Sequence, residues 1–261
     1  MIYIDGKAYK KTEAHVHLAP VSVCGHMDAE EASAKLAACG YEAAVLTNHY
    51  SRAYIDVHSS SEKEWRERYL ENFHLFREVG ARHGLEVFFG AEVTLQAIYT
   101  QSYRGRWSDE FIENNFADYL IYGMTEEMFV KTPLLCDFTL PELRKICAEY
   151  GALIVQAHPF RTEQQHSLRD VRLLDGLELN SHRGFPSGPH EAEILRLARG
   201  NGLVVTCGGD LHTTAIPWCS AMYLPADIHD SVALAAYLKE MRIPRYSLDE
   251  PDPVWGNHKT V

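Results

Sequence analysis

Short apolar runs alternate along the chain with longer segments in which apolar residues recur every three or four positions. The short runs are typical of buried strands, and the periodic segments are typical of amphipathic helices. A first helix is predicted from Asp28 to Cys39, because Asp28 and Glu31 match a capping box and Gly40 follows as a stop signal. The same alternation continues into the last third of the chain.

The predicted elements indicate an α/β fold. Strands are expected at 12–18, 43–47, 86–91, 118–122, 153–157, 176–179 and 203–207, and helices at 28–39, 61–83, 140–150, 189–199 and 231–241. Strands that alternate with helices predict a parallel sheet covered on both faces, and about seven such units favour a barrel. No linker or low-complexity tract divides the chain, so we predict one domain over 1–261 with an insertion or lid at about 94–115.

Side chains that can bind metal ions stand at the ends of nearly all the predicted strands. In a parallel α/β barrel these ends converge on one face, where functional sites are built. The residues are His15, His17, His49, Glu92, His158, Asp210 and His212. Each of them alone has an ordinary structural explanation, but together they predict a site for more than one metal ion at the carboxyl ends of the strands.

The types of ligand indicate the class of metal. His15 and His17 are two residues apart on a strand, so both side chains point to the same side and can reach one ion. Glu92 follows the apolar run VFFGA, where a carboxylate is costly to bury without a cation. Nitrogen and carboxylate ligands favour divalent zinc, manganese or iron over a closed thiolate site. An open cluster of this kind generates hydroxide at neutral pH and binds a phosphoryl or carbonyl oxygen.

Composition narrows the partners and the compartment. The 261 residues include 36 acidic and 25 basic ones, a formal charge of -11, which disfavours long nucleic acids but permits a small phosphorylated substrate. The six cysteines form no CxxC pair, and no apolar stretch matches a secretory signal or a membrane span. We therefore expect reduced thiols, no membrane partner and a cytoplasmic location, and we leave the oligomeric state open.

Five short motifs follow one another in the order EAHVH, TNHY, GAE, AHPFR and GGDLH. In this order they resemble the polymerase and histidinol phosphatase (PHP) family of metal-dependent phosphoesterases. The resemblance covers Glu13 to His212 and implies a distorted (β/α)7 TIM-like barrel that holds up to three metal ions. It implies one ion at His15, His17, Glu92 and Asp210, a second at Glu92 and His158, and a third at His49 and His212.

Two positions depart from the family pattern. After the fourth strand the family commonly supplies a histidine to the second ion, but here DYLIYG leads to Met124, and Glu126 or Glu127 would either replace it or be solvated acids at a helix start. The third ion needs one more ligand between the His-x-His pair and the first helix. Family spacing points to Cys24, whereas the nitrogen and oxygen ligands elsewhere favour His26. We predict Cys24, whose thiolate would bias this ion towards zinc.

The predicted activity is hydrolysis of a small phosphate monoester, and the resemblance implies a histidinol-phosphate-like or nucleotide-like substrate. The predicted catalytic residues are Asp210, Arg161 and His182, and the predicted substrate-binding residues are Arg161 and Arg183. Arg161 would hold the phosphate with two hydrogen bonds, or else form an ordinary salt bridge. His182 would protonate the leaving group or orient the substrate. The alternatives are a phosphodiesterase or exonuclease acting on short oligonucleotides, and a non-catalytic metal-binding protein.

Overall fold

A computed structural model of the protein describes residues 2–4, 6–95, 117–161, 168–180, 190–214 and 220–248. Its strands are β1 Ile2–Ile4, β2 Lys7–Val16, β3 Ala43–Leu46, β4 His49–Tyr50, β5 Glu86–Phe89, β6 Ala91–Thr94, β7 Asp118–Tyr122, β8 Leu153–Gln156, β9 Gly176–Asn180, β10 Val204–Gly208, β11 Ala221–Pro225 and β12 Tyr246–Ser247. Its α-helices are α1 Ala29–Ala38, α2 Arg52–His58, α3 Glu62–Arg82, α4 Glu126–Lys131, α5 Leu140–Glu149, α6 Glu191–Asn201 and α7 Ser231–Met241. Most of the insertion predicted at 94–115 lies outside the described residues.

The helix boundaries follow local signals in the sequence. At the start of α1, the Asp28 carboxylate accepts a hydrogen bond from the Glu31 backbone N–H at 2.9 Å, and the Glu31 carboxylate accepts one from the Asp28 N–H at 3.1 Å. This reciprocal pair satisfies two N–H groups that the first turn leaves without a helical partner. The capping box predicted for α1 is therefore confirmed.

The strands form two six-stranded sheets that contain parallel and antiparallel pairs. The first has the order β12-β11-β2-β3-β5 with β1 paired to β2, and the second has the order β10-β9-β8-β7-β6-β4. Five pairs are parallel, β2–β3, β3–β5, β4–β6, β8–β9 and β9–β10. The α/β class is confirmed and parallel pairs are present as predicted, but the sheets are mixed, because β7 runs antiparallel to both β6 and β8.

The two sheets are connected at the carboxyl ends of β2, β3 and β5. β4 follows β3 after only two residues, and β6 follows β5 after Gly90, so two chain segments pass from the first sheet to the second. Between β2 and the end of β10, Val16 and Leu211 form a parallel bridge, in which the Leu211 N–H donates to the His15 carbonyl at 2.8 Å. Among the described residues the paired strands do not form a closed sheet.

Helix α3 packs its apolar stripe on the core. Trp65, Tyr69, Phe73 and Phe76 recur at helical spacing and are almost completely buried. The Tyr69 hydroxyl also donates to the carbonyl of Gly90 at 2.9 Å, next to the point where β5 passes into β6. The long helix thereby fixes the chain just before Glu92. None of the described helices combines the length and the apolar character needed to cross a lipid bilayer.

Candidate metal centre

The two histidines at the end of β2 point into one buried cluster. His15 and His17 are fully buried, and their Nε2 atoms lie 2.9 Å apart. Asp210 Oδ1 lies 3.4 Å from His15 Nε2 and 3.3 Å from His17 Nε2, and Glu92 is 3.5 and 3.3 Å from the same two atoms. Four potential ligands therefore converge, as the sequence predicts for the first ion.

Glu92 stands at the centre of the cluster. It lies on β6 beside His49 of β4, its register partner in a parallel pair, and its Oε2 is 2.9 Å from His49 Nδ1. Its Oε1 is 3.0 Å from His158 Nε2. Because the two oxygens of one carboxylate face different histidines, Glu92 is placed to bridge neighbouring ions.

Asp118 is a candidate ligand that the sequence reasoning missed. Ligand atoms of Glu92, Asp118 and His158 all lie within 4.8 Å of one another. The family pattern predicts this ligand after the end of β7. Because β7 is antiparallel, its first residue, Asp118, lies at the site, and its last residue does not. Met124 is instead fully buried in the hydrophobic core.

Glu126 and Glu127 do not replace the missing histidine. Glu126 lies on the surface with His74 Nε2 at 2.9 Å from its carboxylate, and Glu127 pairs with Lys131 at 2.6 Å. The reading of these two residues as solvated acids at a helix start therefore agrees with the structure. It is Asp118, and neither of these glutamates, that lies beside Glu92 and His158.

Cys24 belongs to a second group of ligand atoms. Its sulfur and ring nitrogens of His17, His49 and His212 lie within 4.8 Å of one another. His26 lines the outer part of the same cavity but its side chain is exposed, and its backbone N–H donates to the His212 carbonyl at 2.7 Å. The structure therefore brings Cys24, and not His26, into this group.

Other buried groups orient the histidines. The His15 Nδ1 atom lies 2.8 Å from Glu178 Oε1, and the Glu178 Oε2 atom accepts the His158 backbone N–H at 2.8 Å. His212 Nδ1 is 2.8 Å from the Asp210 carbonyl, an acceptor only, so Nδ1 carries the proton and Nε2 presents its lone pair. Glu178 was missed because a single acid within the apolar strand GLELN carries no motif.

The backbone at two candidate ligands is unusual. His158 and Asp210 have positive φ angles of 29° and 51°, respectively, a region that residues other than glycine rarely adopt. Such strain is retained where the surrounding structure holds a residue for function. Gly208 permits the close approach of β10 to β2, because a Cβ there would lie 2.8 Å from the His15 Cβ.

Arg161 is buried beside the cluster. Its NH2 nitrogen donates to Asp210 Oδ2 at 2.7 Å, while Asp210 Oδ1 faces His15 and His17. A cavity of about 650 Å³ opens over the cluster and is lined by Arg161 together with most of the candidate ligands. The predicted catalytic His182 and substrate-binding Arg183 lie outside the described residues.

Electrostatics favour a cation at this place. Burial opposes the charged form of Glu92, yet His49 and His15 hold the pKa of this carboxyl well below its usual range. Asp210 is likewise kept ionised against burial, chiefly by His15, and its pKa is well below normal. Burial also disfavours the Cys24 thiolate, but hydrogen bonds with His212 and His49 outweigh it and lower the Cys24 pKa to about 4.

The residues fit divalent metal ions. Among the described side chains, Glu92 Oε2, Asp210 Oδ1 and His49 Nδ1 are buried without a hydrogen-bond partner, although they lie within about 3.5 Å of other cluster atoms. Buried polar atoms are rarely left unsatisfied, so such atoms are expected to bind something. Imidazole and carboxylate are ligands of zinc, manganese and iron.

The fold is shared with solved proteins of very different sequence. A two-domain protein from Bacteroides vulgatus, described as containing a predicted PHP-like metal-dependent phosphoesterase, matches with a TM-score of 0.63 at 14% identity, over 94% of this chain and 66% of that one. PsfC from Pseudomonas syringae matches with a TM-score of 0.57 at 15% identity, over 88% of each chain. This chain thus spans just under two thirds of the Bacteroides protein.

No protein-family model matches the sequence, and the search of curated proteins finds no match. The structural likeness is therefore one of fold, a mixed α/β fold that this chain shares with the Bacteroides protein. The resemblance that the five motifs predict is confirmed at that level.

Proposed function

We propose that this protein is a metal-dependent hydrolase of small phosphate monoesters. The observation that carries the proposal is the convergence of nine side chains with metal-ligand chemistry beside one cavity that a buried arginine also lines. Eight are the metal ligands predicted from sequence, and Asp118 is added by the structure. A PHP-like phosphoesterase domain within the Bacteroides protein of the same fold supports this assignment.

The proposed fold is a distorted seven-stranded barrel within a single domain. Three features support it: β4 follows β3 after two residues, β6 follows β5 after one, and the Val16–Leu211 bridge links β2 to the segment just after β10. In this arrangement the site occupies the carboxyl ends of the parallel strands, the usual place in such barrels. A cytoplasmic location is proposed with it, since the five described cysteines are free thiols.

Two or three divalent ions, when bound, would polarise a phosphoryl oxygen and supply an activated water at neutral pH. The side chains His15, His17, Glu92 and Asp210 would hold the first, and Glu92, Asp118 and His158 the second. Cys24, His49 and His212 would hold the third. In each group the protein keeps the ligand atoms close together before binding, which reduces the reorganisation that binding requires.

Arg161 and the cavity wall would position the substrate. The Asp210 carboxylate holds the Arg161 guanidinium at the cavity surface, where its planar N–H groups match the geometry of phosphate oxygens. Tyr54 and His58 line the outer part of the cavity and would contact the organic part of a monoester. A cavity of about 650 Å³ is of the size that holds one small molecule, which favours a monoester over an oligonucleotide. His182 stays the predicted proton donor to the leaving group, and Arg183 a predicted substrate contact.

The test is an assay of the purified protein with added manganese or zinc against phosphate monoesters and diesters. We expect release of inorganic phosphate from one or more monoesters. In Asp210→Asn we expect kcat/KM to fall at least a hundredfold, because the variant loses a metal ligand and the partner of Arg161. This fall corresponds to about 3 kcal/mol of transition-state stabilisation. The matched control is Asp137→Asn, a surface carboxylate paired with Arg52. Turnover of diesters alone would point to the phosphodiesterase alternative. No turnover despite bound metal would favour the alternative of a non-catalytic metal-binding protein.

A further inference from the structure

The ligand atoms of the cluster are chemically of two kinds. Around Glu92 they are imidazole nitrogens and carboxylate oxygens from His15, Asp118 and His158. At one side only, the sulfur of Cys24 joins the group. Thiolate is a soft ligand that suits zinc, whereas carboxylate oxygen also suits manganese and iron.

His17 divides the cluster between these two kinds. Its Nε2 lies 2.9 Å from His15 Nε2 and 3.3 Å from both Glu92 Oε2 and Asp210 Oδ1. One imidazole nitrogen has one lone pair, so His17 Nε2 serves the oxygen-rich side. Cys24, His49 and His212 then remain together, and three protein ligands are the number that catalytic zinc sites use.

The sulfur side is held in place by its own contacts. The Ser22 hydroxyl accepts the His49 backbone N–H at 2.9 Å and lies 3.2 Å from His17 Nδ1. The Tyr54 ring stacks on His49 with centroids 4.8 Å apart, and its hydroxyl lies 3.6 Å from the Cys24 sulfur. These contacts hold Cys24 and His49 in position relative to each other.

We propose that the protein has a zinc-selective position at Cys24, His49 and His212 beside positions around Glu92 that accept manganese or iron. The active cluster is therefore of mixed metal composition. This inference rests on the proposed metal-dependent function and adds to it which ion occupies which side. Metal binding releases to solvent the protons that Cys24, His49 and His212 share, so no oxidant or other reactant is needed.

The first test is spectroscopic. Metal-free protein is loaded with Co²⁺, which reports a thiolate ligand by a charge-transfer band in the near ultraviolet. We expect the band in the wild type and in His26→Ala, the matched control on the same loop, and its loss in Cys24→Ser. A band that persists in Cys24→Ser, or that is absent from the wild type, overturns the proposal.

The second test is metal exchange. Zinc-loaded protein is dialysed against excess Mn²⁺, and the metal content per chain is measured. The wild type is expected to keep a single zinc and to take up manganese elsewhere. Cys24→Ser is expected to keep no zinc. Cys24→Asp is expected to bind a metal ion at this position that exchanges with manganese. The last variant separates loss of selectivity from loss of folding, because an oxygen ligand replaces the sulfur.

The outcomes distinguish this inference from the function on which it rests. If manganese displaces all zinc from the wild type and phosphate monoesters are still hydrolysed, the inference is wrong and the function stands. If the wild type binds no metal at all, both are wrong.

Discussion

Glu178 is expected to control metal affinity without binding metal itself. Its two carboxylate oxygens accept from three donors, the His15 ring, the His158 backbone N–H and the Asn180 amide at 3.1 Å. One carboxylate thus contacts the ring of one candidate ligand, His15, and the backbone of another, His158. Because an ionised carboxylate only accepts, Nδ1 of His15 must carry a proton, and Nε2 is left to face the first ion.

The substitution Glu178→Gln keeps the shape of the side chain but requires His15 Nδ1 to accept a hydrogen bond instead of donating one. If the amide oxygen faces His158 and Asn180, which are both donors, the amide NH2 faces His15 Nδ1. His15 then accepts at Nδ1 and carries its proton on Nε2, so it no longer offers a lone pair to the ion. Loss of partners of this kind costs about 10- to 100-fold in metal affinity, which corresponds to about 1.4 to 2.8 kcal/mol.

The assay is a competition of the protein with a chelating dye for Zn²⁺ or Mn²⁺. The matched control is Glu86→Gln, the same change at the opposite end of the strands, where Glu86 pairs with Lys10 and His229. The control is expected to retain wild-type metal affinity while losing some stability. Wild-type affinity in Glu178→Gln, with an unchanged content of metal per chain, would refute the role given to this residue.

Two further predictions follow from buried acids. Asp118→Asn should remove one ion per chain in elemental analysis, because a neutral amide is a poor replacement for the carboxylate beside His158; an unchanged content would mean that Asp118 is not a ligand. Burial raises the Glu13 pKa to about 8 from 4.5, so Glu13 prefers to be protonated in the folded state. In metal-free protein this group's stabilising contribution is present below pH 4.5 and is lost as pH rises to about 8, by up to about 5 kcal/mol. Thermal melts across this range should show that the melting temperature falls less steeply with pH in Glu13→Gln than in the wild type. An equal pH dependence in both proteins would count against the raised Glu13 pKa.

Local sequence patterns predict much of the fold because their causes are local. The ends of α1 depend on the Asp28 side chain and on Gly40, and the apolar stripe of α3 appears directly in the spacing of its residues. The candidate ligands His15, His17 and Glu92 stand out because polar side chains at the ends of apolar strands are rare without a role. The structure brings these three together, as the pattern predicts.

Strand direction, by contrast, is not a local property. The run DYLIY has the same apolar pattern in either direction, and only its pairing with β6 and β8 shows that it is antiparallel. Asp118 therefore looks in the sequence like an ordinary first residue of a strand, although it lies at the site. Glu178 is hidden for a related reason, since its partners His15 and His158 are 163 and 20 residues away.

The ligand expected between the His-x-His pair and the first helix is one that the sequence leaves between two residues, Cys24 and His26. The family spacing favours Cys24, whereas the nitrogen and oxygen ligands elsewhere favour His26. The structure places the sulfur among three histidines and leaves the His26 side chain exposed. The resulting cluster combines soft and hard ligands within a few ångströms, which no single motif of the sequence indicates.

The most direct test of the account is a titration of metal-free protein with Mn²⁺ or Zn²⁺ while phosphate release from a hydrolysable monoester is followed. We expect no turnover without metal, a rise in turnover as ions bind, and a plateau when two or three ions are bound per chain. Turnover that is the same in metal-free and metal-loaded protein, or a fully loaded protein that hydrolyses no monoester, would contradict it.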